Sequence, residues 1–269
     1  MRRHVFILAL VVGLFCSVPA WAGQVVIKGS TTVLPIAQKC AEAFTQETGI
    51  NVSVSGGGSG NGIKALIDGT TDVADASRFI KQPEVERAIS NGHYPVPFGI
   101  AYDSIVPVVH PTNSVSNLSS DQLKKIYTGE IENWSEVGGP DRPIVVISRD
   151  TSSGTYEVWE EKALDGARVF PGALLQASNG AVAQAVSKNA NAIGYVGIGY
   201  LNDELKGVSV NGVEGTKATT LSGEFPISRT LFMFTDGWPK GDTKKFINYV
   251  MHPKKGQQFV SEVGYVPIF

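Results

Sequence analysis

Three short stretches of this chain carry the residue types that hold a small anion without a metal. They are Gly29-Ser30-Thr31-Thr32, the glycine-rich run from Ser55 to Gly62 that includes Ser59, and Ser152-Ser153-Gly154-Thr155. Each falls where an extended apolar run gives way to a helical pattern. A helix start leaves its first backbone N–H groups unpaired and presents the positive end of the helix dipole, and Ser or Thr hydroxyls beside it add further donors. Any one such junction also reads as an ordinary N-cap behind a flexible glycine. Their recurrence points to convergence on a single oxyanion, with Ser30, Thr31, Thr32, Ser59, Ser153, Gly154 and Thr155 as candidate ligands.

Two arginines adjoin these junctions. Arg149 closes the apolar run 144–148 just ahead of Ser152, and Arg78 follows Ser77 at the end of the run 73–76. Open α/β sheets bind ligands beyond the carboxyl ends of their strands, and a guanidinium offers a forked, permanently charged donor pair that suits phosphate-like geometry. The competing assignment for either is a surface arginine beside a carboxylate such as Asp150 or Asp75. Ser77, Arg78 and Arg149 complete the candidate set.

Other chemistries lack their residues. Gly62 is followed by Ile63-Lys64-Ala65 rather than the Lys-Ser or Lys-Thr of a P-loop, and the spacing of a dinucleotide fingerprint also fails. Ser153 lacks a GxSxG elbow, and His93, His110 and His252 neighbour no serine or acid in a triad-like arrangement. Cys16 and Cys40 are the only cysteines, and neither CxxC nor HExxH occurs, so no zinc site, disulfide framework or cofactor is expected. His93, His110, Trp134, Tyr195, Phe232 and Trp238 read as packing groups.

The elements that must position the candidates follow from periodicity. Strands are expected over 25–28, 51–55, 73–76, 96–101, 105–110, 144–147, 193–196 and 225–234. Helices are expected around 37–44, 63–68, 83–90, 121–127, 155–164, 182–186 and 246–251. Ala37, Cys40, Ala41 and Phe44 recur at i, i+3, i+4 and i+7, one buried helical face closed by Gly49, which makes Cys40 a core residue. Strands alternating with helices indicate α/β layers with largely parallel sheets, and the chain resumes this rhythm after Pro111-Thr112-Asn113.

With 42% hydrophobic residues over 269 positions the chain has enough apolar material for one large or two smaller cores. Its formal charge of −2 lacks the basic excess that nucleic acid selects. Arg2, Arg3 and His4 precede an apolar run from Val5 to Val18, too short to span a bilayer, and Ala20-Trp21-Ala22 supplies small residues at a cleavage spacing. Residues 1–22 therefore read as a secretory signal peptide, with Cys40 the one thiol beyond it. Cys16 lies inside the apolar run behind Phe15, where a lipobox would need a small residue.

Gly29-Ser30-Thr31-Thr32, Ser55-Gly56-Gly57-Gly58-Ser59-Gly60, Ala76-Ser77-Arg78 and Arg149 with Ser153-Gly154-Thr155, in this order, resemble the solute-binding proteins of high-affinity phosphate ABC importers. The likeness extends over the rest of the chain beyond the leader, including Ala192-Ile193-Gly194-Tyr195 and Phe225-Pro226-Ile227-Ser228-Arg229. It implies an α/β periplasmic binding protein fold of type II, with two lobes joined by two crossing hinge strands. Lobe 1 would comprise 23–101 with 224–269, and lobe 2 102–223. It further implies a monomeric periplasmic protein, not an enzyme, that closes on inorganic phosphate and hands it to a membrane permease. Arg149, Ser153, Gly154 and Thr155 would bind from one lobe and the other Ser/Thr loops from its partner. Better-known members place an Asp after the equivalent of Ser77, as acceptor for the proton of phosphate, where this chain has Arg78. They also place an Asp two residues past the arginine, where this chain has Thr151 and sets Asp150 adjacent. In the cleft Arg78 can only donate, which leaves Asp75 or Asp150 as the acceptor that would tell phosphate from sulfate. The residues alone leave open another oxyanion (sulfate, molybdate, tungstate or a phosphorylated metabolite), an exported phosphoester hydrolase, or an adhesive surface protein.

Overall fold

The computed structural model describes residues 24–269; the leader expected over 1–22 lies outside the described residues. β1 (Gln24–Gly29), α1 (Leu34–Thr48), β2 (Asn51–Gly56), α2 (Ser59–Ile67), β3 (Val73–Ala76) and α3 (Gln82–Ser90) lead into the long strand β4 (Pro95–Val109). There follow β5 (Asn117–Leu118), α4 (Ser120–Thr128), β6 (Val145–Arg149), α5 (Gly154–Lys162), β7 (Leu174–Gln176), α6 (Asn179–Ser187) and β8 (Ala192–Gly197). β9 (Lys206–Gly207), β10 (Ser209–Val210), α7 (Lys217–Ser222), β11 (Ser228–Asp236), α8 (Gly241–Met251) and α9 (Gly256–Glu262) close the chain.

The strands form a nine-stranded sheet in the order β2-β1-β3-β11-β4-β8-β6-β7, with β9 also on β4, and β5 pairs with β10 apart from it. Pairing is parallel within β2-β1-β3 and within β8-β6-β7, as helical crossovers require. It is antiparallel in the middle, where β11 runs against β3 and β4, and β4 against β8. The expectation of largely parallel sheets thus holds for the two outer groups and fails between them, because β4 and β11 carry the chain from one group to the other. The strands expected over 96–101 and 105–110 are one strand. Its first part pairs with β11 from Pro95 to Ser104, and its second with β8 from Ile105 to Val109.

α1 buries Ile36, Ala37, Cys40, Ala41 and Phe44, the predicted face with Ile36 added, and ends on Gly49 at φ 73°. Phe44 packs edge-on against Phe246 and Tyr249 of α8. On the opposite side of the sheet Ala74 and Ala76 meet Ile63 and Leu66 of α2. In the second group Trp159 of α5 stacks on Tyr195 of β8, with centroids 4.3 Å apart, and Trp134 is buried. Trp238 is the exception among the aromatics expected to pack: it is 74% exposed and touches Phe98 edge-on. Among the described residues no helix is long and apolar enough to cross a membrane, and no three His, Cys, Asp or Glu side chains gather where a metal could sit.

Candidate functional site

The carboxyl ends of β1, β3 and β6 and the starts of α2, α5 and α6 come together between the two strand groups. The loop after β1 is anchored by the Ser30 N–H, which donates to Asp75 O at 2.9 Å. The Ser30 hydroxyl accepts the Thr32 N–H at 3.1 Å and thereby shapes the loop that presents Thr31 and Thr32. Ser59 opens α2, and its Oγ accepts the Ser77 N–H at 2.9 Å while sharing a 3.2 Å hydroxyl bond with Ser77. Ser153 caps α5, accepting the Tyr156 N–H at 3.2 Å. The first-turn N–H groups of Gly154 and Thr155 then have no partner within the helix.

These loops meet across the cleft. Thr32 and Thr155 share a hydroxyl bond of 2.9 Å, and the Gly60 N–H donates to Ser152 O at 3.0 Å. Glycine is required at two contacts. A Cβ on Gly58, at φ 97°, would lie 2.6 Å from Ser152 O, and one on Gly154 would lie 2.5 Å from Ser59 Oγ and 3.0 Å from Ser77 Oγ.

Arg149 is the electrostatic centre of the cluster. It ends β6, is 1% exposed, and its N–H donates to the Tyr195 hydroxyl at 3.2 Å. Tyr195 is itself held by Ser148 and by the Trp159 stack. Nε donates to Gln176 O at 2.9 Å and Nη2 to Ala177 O at 3.1 Å, which fixes the plane of the fork. Among the described residues Nη1 is buried with no protein acceptor, and the only carboxylate paired with the group, that of Asp150, stands 4.0 Å away. Burial pulls the guanidinium below its ordinary pKa, yet arginine stays charged. A buried, under-compensated cation with an open donor is a site for an anion.

Arg78 behaves differently, and the expectation that it donates into the cleft is corrected. Nη1 and Nη2 donate to the two Glu84 oxygens at 2.8 and 2.7 Å, and Nε lies 2.8 Å from Glu157 Oε2. Its fork is already filled by acids. Because Glu157 belongs to α5, this pair, joined by Lys81, ties one strand group to the other beside the anion loops. The alternative acceptors are occupied or remote as well. Asp150 Oδ1 accepts the Ser152 N–H at 2.9 Å. Asp75 alternates with Ala74 and Ala76 and so faces α1, beside Cys40, whose thiol burial pushes up to about 12.

Three site residues escaped the sequence reading. Asn179, at the start of α6, donates through Nδ2 to the Thr31 and Thr32 hydroxyls at 3.1 and 3.0 Å. Ser178-Asn179-Gly180 is a fourth junction of the same composition, which was the available signal. Arg229, on β11, lies 2.7 Å from Asp103 Oδ2 and reaches Thr155 Oγ1 at 3.1 Å and Thr32 Oγ1 at 3.3 Å. Asp103 is fully buried on β4, a polar residue inside an apolar run.

A model of the PBP superfamily domain matches residues 18–254. The phosphate-binding protein PstS of Bacillus subtilis (strain 168) is 31% identical over 250 residues, covering 92% of this chain and 81% of that protein. The chain belongs to the PBP superfamily, in the family of PstS proteins. A phosphate ABC transporter substrate-binding protein of Clostridium perfringens, solved with bound phosphate, superposes with a TM-score of 0.85 at 32% identity, covering 92% of this chain and all of that one. An ABC-type phosphate transport receptor of Vibrio cholerae superposes with a TM-score of 0.74 at 30% identity, covering 90% and 99%. The fold is accordingly the type II binding-protein fold, two α/β lobes with β4 and β11 as its crossing strands.

Proposed function

We propose that this protein captures inorganic phosphate between its lobes and delivers it to the permease of an ABC importer. The observation that carries the reading is the Arg149 fork, buried and short of one acceptor, on the strand that leads into the α5 start, where Gly154 meets Ser59 and Ser77 and Thr155 meets Thr32. The N–H groups and the hydroxyls whose protons are not spent on a neighbour donate, and an oxyanion accepts from all sides. The family relationship and the phosphate-bound neighbour support the same ligand.

In this reading lobe 1 comprises 23–101 with 224–269 and lobe 2 comprises 102–223. The protein works as a monomer in the periplasm after loss of the leader 1–22, and no bond is made or broken. Capture is lobe closure: Arg149 and the α5 start approach the Thr31, Ser59 and Ser77 loops with the anion between them. The test is calorimetry of phosphate-stripped protein against phosphate, sulfate, molybdate and tungstate, with a phosphoester turnover assay alongside. Saturable phosphate binding without turnover is expected. Tighter binding of another oxyanion, or release of phosphate from an ester, would overturn the reading.

A further inference from the structure

The hydroxyl groups of the cleft are wired to one another, and counting their donors and acceptors fixes which way their protons point. A threonine hydroxyl has one proton to give and two lone pairs that accept. Asn179 sets the direction first. Its Oδ1 accepts the Gly197 N–H at 3.2 Å, so its amide nitrogen faces the threonines and donates to Thr31 Oγ1 and Thr32 Oγ1. Thr31 Oγ1 also accepts the Asn179 backbone N–H at 3.3 Å. Both its lone pairs are then used, and its own proton has to leave toward the cleft.

Arg229 completes the chain. It has no acceptor capacity, and its Nε donates to Asp103 Oδ2 at 2.8 Å. Nη2, besides its contact with that carboxylate, donates to both Thr32 Oγ1 and Thr155 Oγ1. Thr32 Oγ1 thus accepts from Asn179 and Arg229, which obliges its proton to run along the 2.9 Å contact to Thr155 Oγ1. Thr155 Oγ1 then accepts from Thr32 and Arg229, so its own proton too is directed into the cleft. The opposite direction would load three donors onto Thr32 and strand its proton in a buried site, which costs free energy.

We infer that Arg229 and Asn179 are positioning residues, which set anion affinity by holding the Thr155 and Thr31 hydroxyls as obligate donors to the ligand. The inference rests on the phosphate reading of the cleft. Asp103 has its own part in it. With Oδ1 accepting the Ile198 N–H at 2.9 Å and Oδ2 taken by Arg229, it holds the guanidinium where the two lobes cross.

The test is a pair of double-mutant cycles read by calorimetry with inorganic phosphate on the mature protein. One cycle combines Arg229→Lys with Thr155→Val, the other Asn179→Asp with Thr31→Val. Each single change should weaken binding about tenfold or more, the range for a hydrogen bond to a charged group. In each cycle the double variant should bind much more tightly than the product of the two single losses predicts. A merely structural role moves this coupling nowhere, so losses that multiply would overturn the inference. Should Arg229→Lys fail to fold, the Asn179 cycle decides alone. Parent protein that binds no phosphate would instead sink the phosphate reading itself.

Discussion

Replacing Arg149 by alanine separates ligand electrostatics from fold. The carbonyls of Gln176 and Ala177 already hold Nε and Nη2, so the substitution removes the orphan Nη1 donor and the full positive charge from a group that is 1% exposed. Truncating one partner of a buried, hydrogen-bonded charge pair costs about 2–5 kcal/mol. At about 1.4 kcal/mol per tenfold this is a roughly 30- to 4,000-fold weaker dissociation constant. The upper part of that range is expected, because water has little access to screen the loss. The phosphate-free protein should tolerate the change, since a desolvated charge disappears together with its bonds to two carbonyls. The assay is calorimetry together with thermal melts. Phosphate at about 100 times the parent dissociation constant adds about 2.7 kcal/mol to the parent, a rise in Tm of roughly 5–11 °C at this chain length; the variant at the same concentration should show almost none. Arg149→Lys should recover part of the affinity, because it restores the charge without the fork. Binding by the alanine variant within about threefold of the parent would refute the reasoning and move the anion's counter-charge to another residue.

Gly154→Ala places a methyl group 2.5 Å from Ser59 Oγ; calorimetry should show binding weaker by about tenfold or more, with an unchanged melt of the phosphate-free form. Glu157→Gln removes the acid that joins α5 to Arg78 and Lys81, so stopped-flow release of phosphate should be about three- to tenfold faster, and an unchanged rate would mean that these ion pairs do not hold the lobes together. Asp75 is buried with Oδ1 unpartnered, and desolvation holds its carboxyl well above the usual range. The folded state therefore keeps a proton that the unfolded chain releases near pH ~3.9, and stability falls as pH rises from there through the folded pKa. Asp75→Asn should raise Tm at neutral pH, with the gain vanishing below about pH 4; a gain independent of pH would refute the assignment.

Much of the site was readable because hydroxyl-and-glycine junctions advertise helix starts locally, and the buried face of α1 announces itself by spacing alone. What escaped depends on partners remote in sequence. Nothing near Arg78 says that Glu157 of a different lobe will fill its fork, and Arg229 acquires its role only once β11 is laid against β4. The same pairing explains the misread strand. Asp103-Ser104 looks like a polar gap between two apolar runs, but Asp103 is neutralised by Arg229, and Ser104 is satisfied by the hydroxyls of Thr220 and Ser228. The three two-residue strands β5, β9 and β10 are too short to leave a periodic trace.

β4 passes from one lobe to the other without a break, and β11 is hydrogen-bonded along its first part, with an irregularity in the ladder between Leu231 and Phe232. Such a ribbon resists shear and yields mainly to bending and twist, so the lobes have two soft coordinates where a flexible tether would leave many. On the proposed mode of capture the loaded and empty forms would be two related outlines differing by an angle, and the spacing of the lobe tips would report occupancy without contact with the anion itself.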